Sequence, residues 1–353
     1  MKRQFKIGNQ IIGGNAPCYI IAEAGVNHNG SLDMALDLVR AAKEAGVDCV
    51  KFQTFKAEAV VTACAPKANY QLEVTDRTES QLAMLKKLEL PLEHYNEIIA
   101  ECKKLAIQFL STPYNYADAD FLNNLGVEAF KIASGQLVEL DFLQYVARFN
   151  KPMIISSGMA TLAEVFEGVE AIRATGNHQI ALLQCTTNYP SSLEDSNILA
   201  MKSMRHALNI CIGYSDHVPS NYACYSAVAL GAKVIEKHFT LDKELPGPDH
   251  SSSLNPAEFT ELVQGIRSVE KTLGNPVKQP TAAEIANTVG MRRSIVLLTD
   301  LPKGSVLKKE HLAFKRPATG LAPKRLHEVI GKRINKDIRS DAILMDGDVE
   351  WGS

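Results

Sequence analysis

The sequence is poor in several features that would mark a particular class of protein. Its single tryptophan, Trp351, lies close to the end of the chain, so no tryptophan platform for stacking sugar rings is visible. Positive charge is not in excess, because 38 lysines and arginines face 40 aspartates and glutamates, a formal net charge of −2. A chain without a general basic field is not expected to bind nucleic acid or an anionic membrane surface. Any anion that it binds must be held locally.

Cysteines are few, and long hydrophobic runs are missing. The seven cysteines are odd in number, scattered and mostly set in apolar segments, which is typical of buried free thiols in a reducing compartment. No apolar run approaches the roughly 18 residues that a membrane-spanning helix needs. The first ten residues, MKRQFKIGNQ, contain no apolar core of a signal peptide. These observations predict a cytoplasmic protein.

Short apolar runs alternate with longer segments of helical period between residue 18 and about residue 273. The runs are continuously apolar, so the predicted strands are buried on both faces, as in parallel sheets covered by helices. Eight such units in about 250 residues match a TIM (β/α)8 barrel. An open doubly wound sheet is the alternative, but no GxGxxG motif follows the first strand. The eight runs begin at Cys18 (CYIIAEAG), Cys49 (CVKFQ), Gln108 (QFLSTP), Ala129 (AFKIAS), Pro152 (PMIISSG), Gln179 (QIALLQCT), Asn209 (NICIGYSDH) and Lys233 (KVIEKHF).

Two segments depart from this alternation. Residues 55–90 are too many for an ordinary barrel loop of about 2–6 residues. Because they follow the carboxyl end of a strand, we expect them to cover the substrate. Beyond Gly274 the tail has short β-like runs broken by proline and glycine. We predict a barrel domain over residues 1–280 and a small β-rich domain over residues 281–353, which needs to pack on its own barrel or on another subunit to be stable.

Polar side chains cluster where the predicted strands end, which in a TIM barrel is the active-site face. Lys51 and Lys131 lie within otherwise apolar strands, and a buried ammonium group is costly unless an anion compensates it. One interpretation is that they form structural ion pairs with Glu23 or Glu236. We favour the other, that the lysines and nearby serines bind a phosphate or carboxylate group. The serines at the ends of strands four, five and seven are Ser134, Ser156 and Ser215.

Histidines end the last two predicted strands, at His217 and His238. Because these strands are neighbours in a barrel, both imidazoles can reach one divalent transition metal, with Glu236 as a ligand or as a partner of a ligand. Two protein ligands leave coordination positions open, so such a metal would be catalytic rather than structural. His28 and His250 lie in polar loops and can equally be surface residues.

Other classes of function are open to the same residues. A Schiff-base aldolase could use Lys51 or Lys131, but its lysine must be desolvated and neutral. Two lysines that face one anion would stay charged, which disfavours this mechanism. Binding of ice or carbohydrate through the tail is also disfavoured, because ice binding requires a flat uncharged face and KKEHLAFKRP is dense in charge.

Seven motifs, in order along the chain, are highly specific when taken together: IIAEAGVNHNG, VKFQTF, FKIASG, PMIISSGM, LLQCTTNYP, IGYSDHV and GAKVIEKHFTLDKELPGPDHSSSL. Through them the chain closely resembles the sialic acid synthase family over nearly its whole length. From Arg292 the tail resembles that family's antifreeze-like (SAF) domain. The resemblance implies a metal-dependent transferase that condenses phosphoenolpyruvate with an open-chain N-acetylated amino sugar, giving a nine-carbon 2-keto-3-deoxy acid and phosphate. The implied acceptors are N-acetylmannosamine and 2,4-diacetamido-2,4,6-trideoxymannose.

The resemblance also implies a role for each candidate residue. Phosphoenolpyruvate would be held by Lys51, Lys131, Ser134, Ser156 and Ser215. A divalent ion, Mn²⁺ or else Mg²⁺ or Co²⁺, would be bound by His217 and His238. Proton transfer would be shared by Glu23 and Glu236. The sugar would contact Gln53, Asn69, Asn188, Tyr189 and Asp249. In a domain-swapped homodimer, the small domain of the partner would add Arg316.

Overall fold

The computed structural model of the chain describes residues 4–352. The chain divides into two compact units between Gly274 and Asn275, whereas the sequence places the domain boundary after residue 280. Each unit has a hydrophobic core of its own.

A short hairpin that the sequence analysis missed precedes the barrel. Its strands, β1 (Gln4–Ile7) and β2 (Gln10–Gly13), pair antiparallel. Phe5, Ile7 and Ile12 are buried together with the residues that begin several barrel strands, Tyr19 and Cys49 among them. The hairpin therefore closes the amino-terminal end of the barrel, opposite the end that carries active sites in this fold.

Within residues 4–274, eight parallel strands form the centre of the unit. The strands are β3 (Tyr19–Gly25), β4 (Cys49–Thr54), β5 (Gln108–Pro113), β6 (Phe130–Ile132), β7 (Met153–Ser156), β8 (Ile180–Cys185), β9 (Cys211–Asp216) and β10 (Val234–His238). Their order is β5-β4-β3-β10-β9-β8-β7-β6, and the two end strands, β5 and β6, lie side by side, so the sheet closes. The TIM barrel predicted from the sequence is confirmed, strand by strand.

Helices alternate with the barrel strands along the chain, and most of them cover the outside of the barrel. In the first unit they are α1 (Leu32–Glu44), α2 (Ala57–Val60), α3 (Asn69–Val74), α4 (Gln81–Lys87), α5 (Tyr95–Leu105), α6 (Tyr116–Asn124), α7 (Leu140–Ala147), α8 (Leu162–Arg173), α9 (Ala200–Leu208), α10 (Tyr222–Ala229) and α11 (Pro256–Leu273). Ser31 caps α1, because its Oγ accepts from the Met34 backbone N–H at 3.4 Å, and Gly46 turns the chain after the helix with a φ of 82°.

The second unit is small, irregular and rich in β structure, as the sequence predicts. Residues 275–352 contain α12 (Ala282–Met291), β11 (Ser294–Leu297), β12 (Leu312–Lys315), α13 (Leu326–Val329), β13 (Arg333–Ile334) and β14 (Val349–Glu350). The strands pair antiparallel as β11 with β12 and β13 with β14. Ile295, Leu297, Leu307 and Leu344 are fully buried in its core.

Two further expectations concern the whole chain. All seven cysteines are free thiols, and six are buried, the exposed one being Cys64. None of the helices found in residues 4–352 is long and apolar enough to cross a membrane.

Candidate active site

Most of the predicted site residues line one cavity at the carboxyl end of the barrel strands. Its volume is about 460 Å³, and Tyr70, Gln71 and Gln81 from the segment over residues 55–90 form part of its wall. That segment borders the cavity, as expected for a substrate cover. The predicted residues that line the cavity are Glu23, Lys51, Gln53, Lys131, Ser134, Ser156, Tyr189, Ser215, His217, Glu236 and His238.

Four predicted residues are not part of this lining. Asn69 is exposed at the first position of α3, and Asn188 is exposed with its side chain donating to a nearby backbone carbonyl. Asp249 is buried, with its Oδ2 3.8 Å from His238 Nδ1. Arg316 is exposed and donates to a carbonyl of its own unit. Their proposed contacts with the sugar stay predictions.

Both lysines of the cavity form ion pairs with buried carboxylates. Lys51 Nζ lies 2.8 Å from Glu23 Oε2 and 3.6 Å from Glu236 Oε1. Lys131 Nζ also lies 3.6 Å from Glu236 Oε1. The pairs of the structural interpretation are therefore present, yet the same lysines line the cavity, so they are also placed to meet an anion. The other oxygen of Glu236, Oε2, is buried without a hydrogen-bond partner among residues 4–352.

Hydroxyl groups surround the two ammonium groups. Lys131 Nζ donates to Ser156 Oγ at 2.7 Å, and Lys51 Nζ donates to Thr112 Oγ1 at 3.3 Å. Thr112 was not predicted, although it lies near the carboxyl end of β5. The same rule that identified the serines at strand ends would have found it.

The two carboxylates have pKa values shifted in opposite directions. Burial raises the pKa of Glu23, and Lys51 opposes this only in part. Burial acts in the same direction on Glu236, but Lys131 and Lys51 outweigh it and hold the pKa of Glu236 below its usual range. A pair of groups whose pKa values are pushed apart can divide acid and base roles. Glu23 is therefore the carboxyl group suited to hold and release a proton.

The two lysines also differ in pKa, although burial lowers both values. At Lys51 the Glu23 and Glu236 carboxylates outweigh burial, so its pKa lies above the ordinary value. At Lys131 burial prevails over the attraction of Glu236, and the charge of Lys51 adds to it, so its pKa lies below the ordinary value. Of the two, Lys131 loses its proton more readily.

The imidazoles of His217 and His238 lie together, with ring centroids 5.3 Å apart. His217 Nδ1 lies 2.6 Å from the Thr186 carbonyl, an acceptor, so Nδ1 carries the hydrogen and Nε2 is free to ligate. Burial lowers the pKa of His217 to about 4. Burial, followed by the charge of His217, lowers the pKa of His238 well below its ordinary value. Both rings are therefore neutral at pH 7, as metal ligands must be.

A divalent cation fits these two imidazoles if other ligands complete its coordination. His238 Nδ1 is buried with no hydrogen-bond partner in the described part of the chain. Over residues 4–352, no group of three or more His, Cys, Asp or Glu side chains is arranged to hold a metal. A metal here would keep positions open for water or substrate, which is typical of catalytic rather than structural sites.

Aromatic side chains cover the two imidazoles. The ring centroid of Tyr189 lies 4.0 Å from that of His217 and 5.4 Å from that of His238. Tyr70 from α3 packs against Tyr189 at 5.0 Å between ring centroids. Tyr189 was predicted from the sequence, and Tyr70 was not.

Gln53 connects Glu23 to a second tyrosine that the sequence analysis missed. Gln53 Nε2 donates to Glu23 Oε1 at 2.9 Å, and Gln53 Oε1 accepts from Tyr114 Oη at 3.1 Å. Tyr114 lines the cavity and directly follows β5, so its place after a strand end was the available signal. This chain of hydrogen bonds fixes the orientation of the Glu23 carboxyl group.

His28 and His250 are buried rather than on the surface. His28 Nδ1 accepts from the Gly30 backbone N–H at 3.0 Å, and His250 Nδ1 lies 2.7 Å from Thr240 Oγ1. Neither residue lines the cavity. They stabilise the loops that follow β3 and β10.

The closed parallel barrel and the charged cavity at the carboxyl end of its strands are typical of a barrel enzyme. The chain belongs to the NeuB family, which it matches over residues 38–278, and residues 292–350 match the SAF domain. The resemblance noted from the sequence motifs is thereby confirmed.

Relatives cover almost the full length of the chain. It is 44% identical over 329 residues to the N,N'-diacetyllegionaminic acid synthase of Campylobacter jejuni. The aligned region covers 93% of this chain and 98% of that protein. It is 42% identical over 337 residues to the synthase of the same name from Legionella pneumophila, with 94% and 95% covered. The crystal structure of N-acetylneuraminic acid synthetase from Leptospira borgpetersenii in complex with citrate is similar, with a TM-score of 0.72, 31% identity and 81% of this chain and 95% of that chain covered.

Proposed function

We propose that the protein condenses phosphoenolpyruvate with an open-chain N-acetylated amino sugar to give a nine-carbon 2-keto-3-deoxy acid. C3 of phosphoenolpyruvate would attack the sugar aldehyde, forming the new carbon–carbon bond. Water would then add to C2, and phosphate would leave with its bridging oxygen. The observation that carries the proposal is that one cavity joins two lysines, two carboxylates of opposite pKa shift and two neutral imidazoles.

The lysine side of the cavity would hold phosphoenolpyruvate. Lys51 and Lys131 would pair with its phosphate and carboxylate, because charge-assisted hydrogen bonds to these groups are strong. The hydroxyl groups around them would complete the binding of the anion: Thr112, Ser134, Ser156 and Ser215. Glu236, which stays ionised, would stabilise positive charge that develops at C2.

The imidazole side of the cavity would bind the metal and the sugar aldehyde. His217 and His238 would hold Mn²⁺, or Mg²⁺ or Co²⁺ in its place, and the bound ion would supply a Lewis acid for the aldehyde. Glu23 would donate a proton to the oxygen that becomes the sugar hydroxyl, or take one from the attacking water. Gln53 and Tyr114 would hold Glu23 in place for that transfer.

The acceptor would carry no phosphate. Lys51 and Lys131 are the only lysine or arginine residues that line the cavity within residues 4–352, and both are paired with carboxylates. A phosphate on the acceptor would need a further cation besides the partner's Arg316, which is proposed below to contact the sugar, whereas the lining adds a third carboxylate, Glu139. The names of the Campylobacter and Legionella relatives favour the 2,4-diacetamido sugar over N-acetylmannosamine.

A second subunit would complete the site. Met159 lines the cavity and is 72% exposed, and Val138 and Leu140, on either side of the lining residue Glu139, are 55% and 38% exposed. Exposed apolar patches of this kind commonly mark protein–protein interfaces. In a domain-swapped homodimer, the partner's Arg316 would reach the sugar.

Turnover with defined substrates tests the proposal. The chelated protein is mixed with phosphoenolpyruvate and each of three acceptors, N-acetylmannosamine, its 6-phosphate and the 2,4-diacetamido sugar, with and without added Mn²⁺. We expect phosphate and keto acid in equal amounts, only with metal and only with an unphosphorylated acceptor. Full turnover in the chelated protein would refute the metal. Sugar binding without phosphate release would instead indicate a carbohydrate-binding protein.

A Schiff-base aldolase is the second candidate, and one observation favours it, the lowered pKa of Lys131. Borohydride reduction during turnover would then attach substrate carbon to Lys131, which mass spectrometry detects. We expect no such adduct, because Glu236 lies 3.6 Å from the Lys131 ammonium group and stabilises its charge.

A further inference from the structure

A buried ion pair lies directly beside the two histidines in the sequence and in the barrel. Lys237 Nζ of β10 contacts Asp216 Oδ2 of β9 at 2.5 Å, and the two side chains are 2% and 0% exposed. Successive side chains of a strand point to opposite faces. Glu236 and His238 line the cavity, and Lys237 between them does not, so Lys237 points outward toward the helices.

Lys237 uses all three of its N–H groups. Besides Asp216, it donates to the backbone carbonyl of Val218 at 2.5 Å and to that of Ser220 at 3.0 Å. These two carbonyls belong to the loop that follows His217. A single side chain of β10 therefore binds both the end of β9 and the loop beyond it.

Asp216 is held equally tightly. Its Oδ1 accepts from Tyr214 Oη and from the Val218 backbone N–H, each at 3.0 Å. Its Oδ2 accepts from Cys224 Sγ at 3.1 Å in addition to Lys237. The carboxylate thus fixes the backbone on both sides of His217, which is the next residue in the chain.

Stability alone explains this arrangement poorly. Removing two charges from water costs several kcal/mol for each ion, and well-packed apolar residues are often as stable as a buried ion pair or more so. A pair with every hydrogen bond satisfied does, however, fix geometry, because any displacement leaves a charge without its partner. The elements that this pair joins carry the two histidines, because Lys237 precedes His238 and Asp216 precedes His217.

We propose that Lys237 and Asp216 are positioning residues that set the distance between the His217 and His238 imidazoles for metal binding. The inference rests on the metal site of the proposed function. It adds that metal affinity depends on two residues that do not touch the cavity. Residues that orient the ligands of a metal typically change its affinity by about 10- to 100-fold when they are replaced.

The test is Mn²⁺ binding by isothermal titration calorimetry to the full-length double variant Lys237→Met/Asp216→Asn. The double change removes both charges, so neither ion is left buried without its partner. We expect Mn²⁺ to bind about 10- to 100-fold more weakly, while the dissociation constant of phosphoenolpyruvate stays near the wild-type value. If the double variant does not fold, Lys237→Gln/Asp216→Asn replaces it, because it also removes both charges and keeps a polar side chain at each position. The single variant Lys237→Arg, which keeps the charge beside Asp216, should bind Mn²⁺ with nearly the wild-type affinity.

A control ion pair, only partly buried, lies at the amino-terminal end of the barrel strands. Arg267 Nη2 lies 3.1 Å from Asp48 Oδ2, and this pair joins α11 to the chain just before β4. The variant Arg267→Met/Asp48→Asn should lower thermal stability and leave Mn²⁺ affinity unchanged. Equal losses of Mn²⁺ affinity in the two double variants would overturn the proposal, as would wild-type affinity in a folded variant that lacks the Lys237–Asp216 pair.

Failure of the proposed function would look different. If the wild-type protein does not bind Mn²⁺, the metal site itself is refuted. Crystal structures of the wild type and of the double variant then decide the positioning role. The proposal requires the His217 and His238 rings to move from the 5.3 Å separation of their centroids, and an unchanged separation would overturn it.

Discussion

Lys51 and Lys131 each lie 3.6 Å from Glu236 Oε1, but of the two only Lys51 also pairs with Glu23, at 2.8 Å. We expect Lys51→Met and Lys131→Met to weaken phosphoenolpyruvate binding by ~2–5 kcal/mol, the usual cost of truncating one partner of a buried charge pair. That is at least about 30-fold in the dissociation constant. Calorimetry with phosphoenolpyruvate and with the sugar separates the two subsites, and sugar binding should change less.

The control for these variants is a lysine outside the cavity. Lys104 is exposed and pairs with Glu101 on the surface at 3.1 Å. Lys104→Met should bind phosphoenolpyruvate as the wild type does. If both cavity variants also bind normally, the two lysines serve only the structural ion pairs, and the substrate site lies elsewhere.

His28 makes folding stability depend on pH. Burial, followed by the charge of His250, lowers the pKa of His28 from 6.5 to about 4. The unfolded chain therefore takes up the proton first, so the stability that His28 contributes is present above pH 6.5 and is lost as the pH falls toward 4. The loss is on the order of 3 kcal/mol, from about 1.4 kcal/mol for each pKa unit.

Urea unfolding at several pH values between 7 and 4 measures this effect. The free energy of unfolding should fall less steeply in His28→Asn than in the wild type, even if the variant is less stable at pH 7. His178→Asn is the matched control, because His178 is exposed. Parallel curves for the wild type and His28→Asn would show that His28 is not the titrating group.

The position of a residue in the fold decided whether its place in the site could be predicted from the sequence. His238 was identifiable because it ends a strand at the barrel mouth, and Lys51 and Lys131 were identifiable because they are charged residues within otherwise apolar strands. Tyr70 was not, because an irregular insertion has no period to show that it faces the cavity while its neighbour Asn69 is exposed. The opposite pKa shifts of the two lysines depend on distances to carboxylates from other strands, which the sequence does not contain.

At the scale of elements, the insertion over residues 55–90 gives α3 its role at the cavity. Through Tyr70, α3 packs against Tyr189, with 5.0 Å between the ring centroids. Tyr189 in turn covers the two imidazoles. An aromatic pair contributes about 0.5–1.5 kcal/mol beyond its buried area. We expect Tyr70→Ala to raise the KM for the sugar by roughly 2- to 12-fold and to leave the KM for phosphoenolpyruvate nearly unchanged.

Tyr70→Phe is the control for this prediction, because it keeps the ring and removes only the hydroxyl group, which accepts from Gln71 Nε2 at 3.3 Å. Steady-state kinetics should place it close to the wild type. An equal rise in the sugar KM for both variants would show that the hydroxyl group, not the ring contact, is what matters.

The elements themselves were predictable to different degrees. The eight barrel strands are continuous apolar runs, and their burial on both faces follows directly from that pattern. The hairpin of β1 and β2 was missed because each strand has four residues, too few to show a period. Gly213 shows a constraint of another kind, since a Cβ there would lie 2.4 Å from the Val234 carbonyl oxygen. Such a close approach between β9 and β10 cannot be predicted from sequence alone.

At the scale of the whole molecule, the proposed homodimer can be tested with one residue from each unit. Glu23 lies in the cavity of the barrel, and Arg316 lies in the small unit that has its own core. If the small unit of each subunit completes the barrel site of its partner, a dimer of one Glu23→Ala subunit and one Arg316→Ala subunit has two different sites. One site of a mixed dimer then has both lesions, and the other has none.

Co-expression of Glu23→Ala and Arg316→Ala subunits under two tags tests this exchange. Each variant alone should be nearly inactive, because every site in its homodimer carries the same lesion. Random assembly makes about half of the dimers mixed, each with one intact site of two, so activity should return to roughly a quarter of the wild-type value for a two-fold dimer. Purification through both tags isolates the mixed dimers and should raise their specific activity to about half. If the small unit instead acts within its own chain, every site keeps one lesion, and the mixed dimers will be no more active than the separate variants.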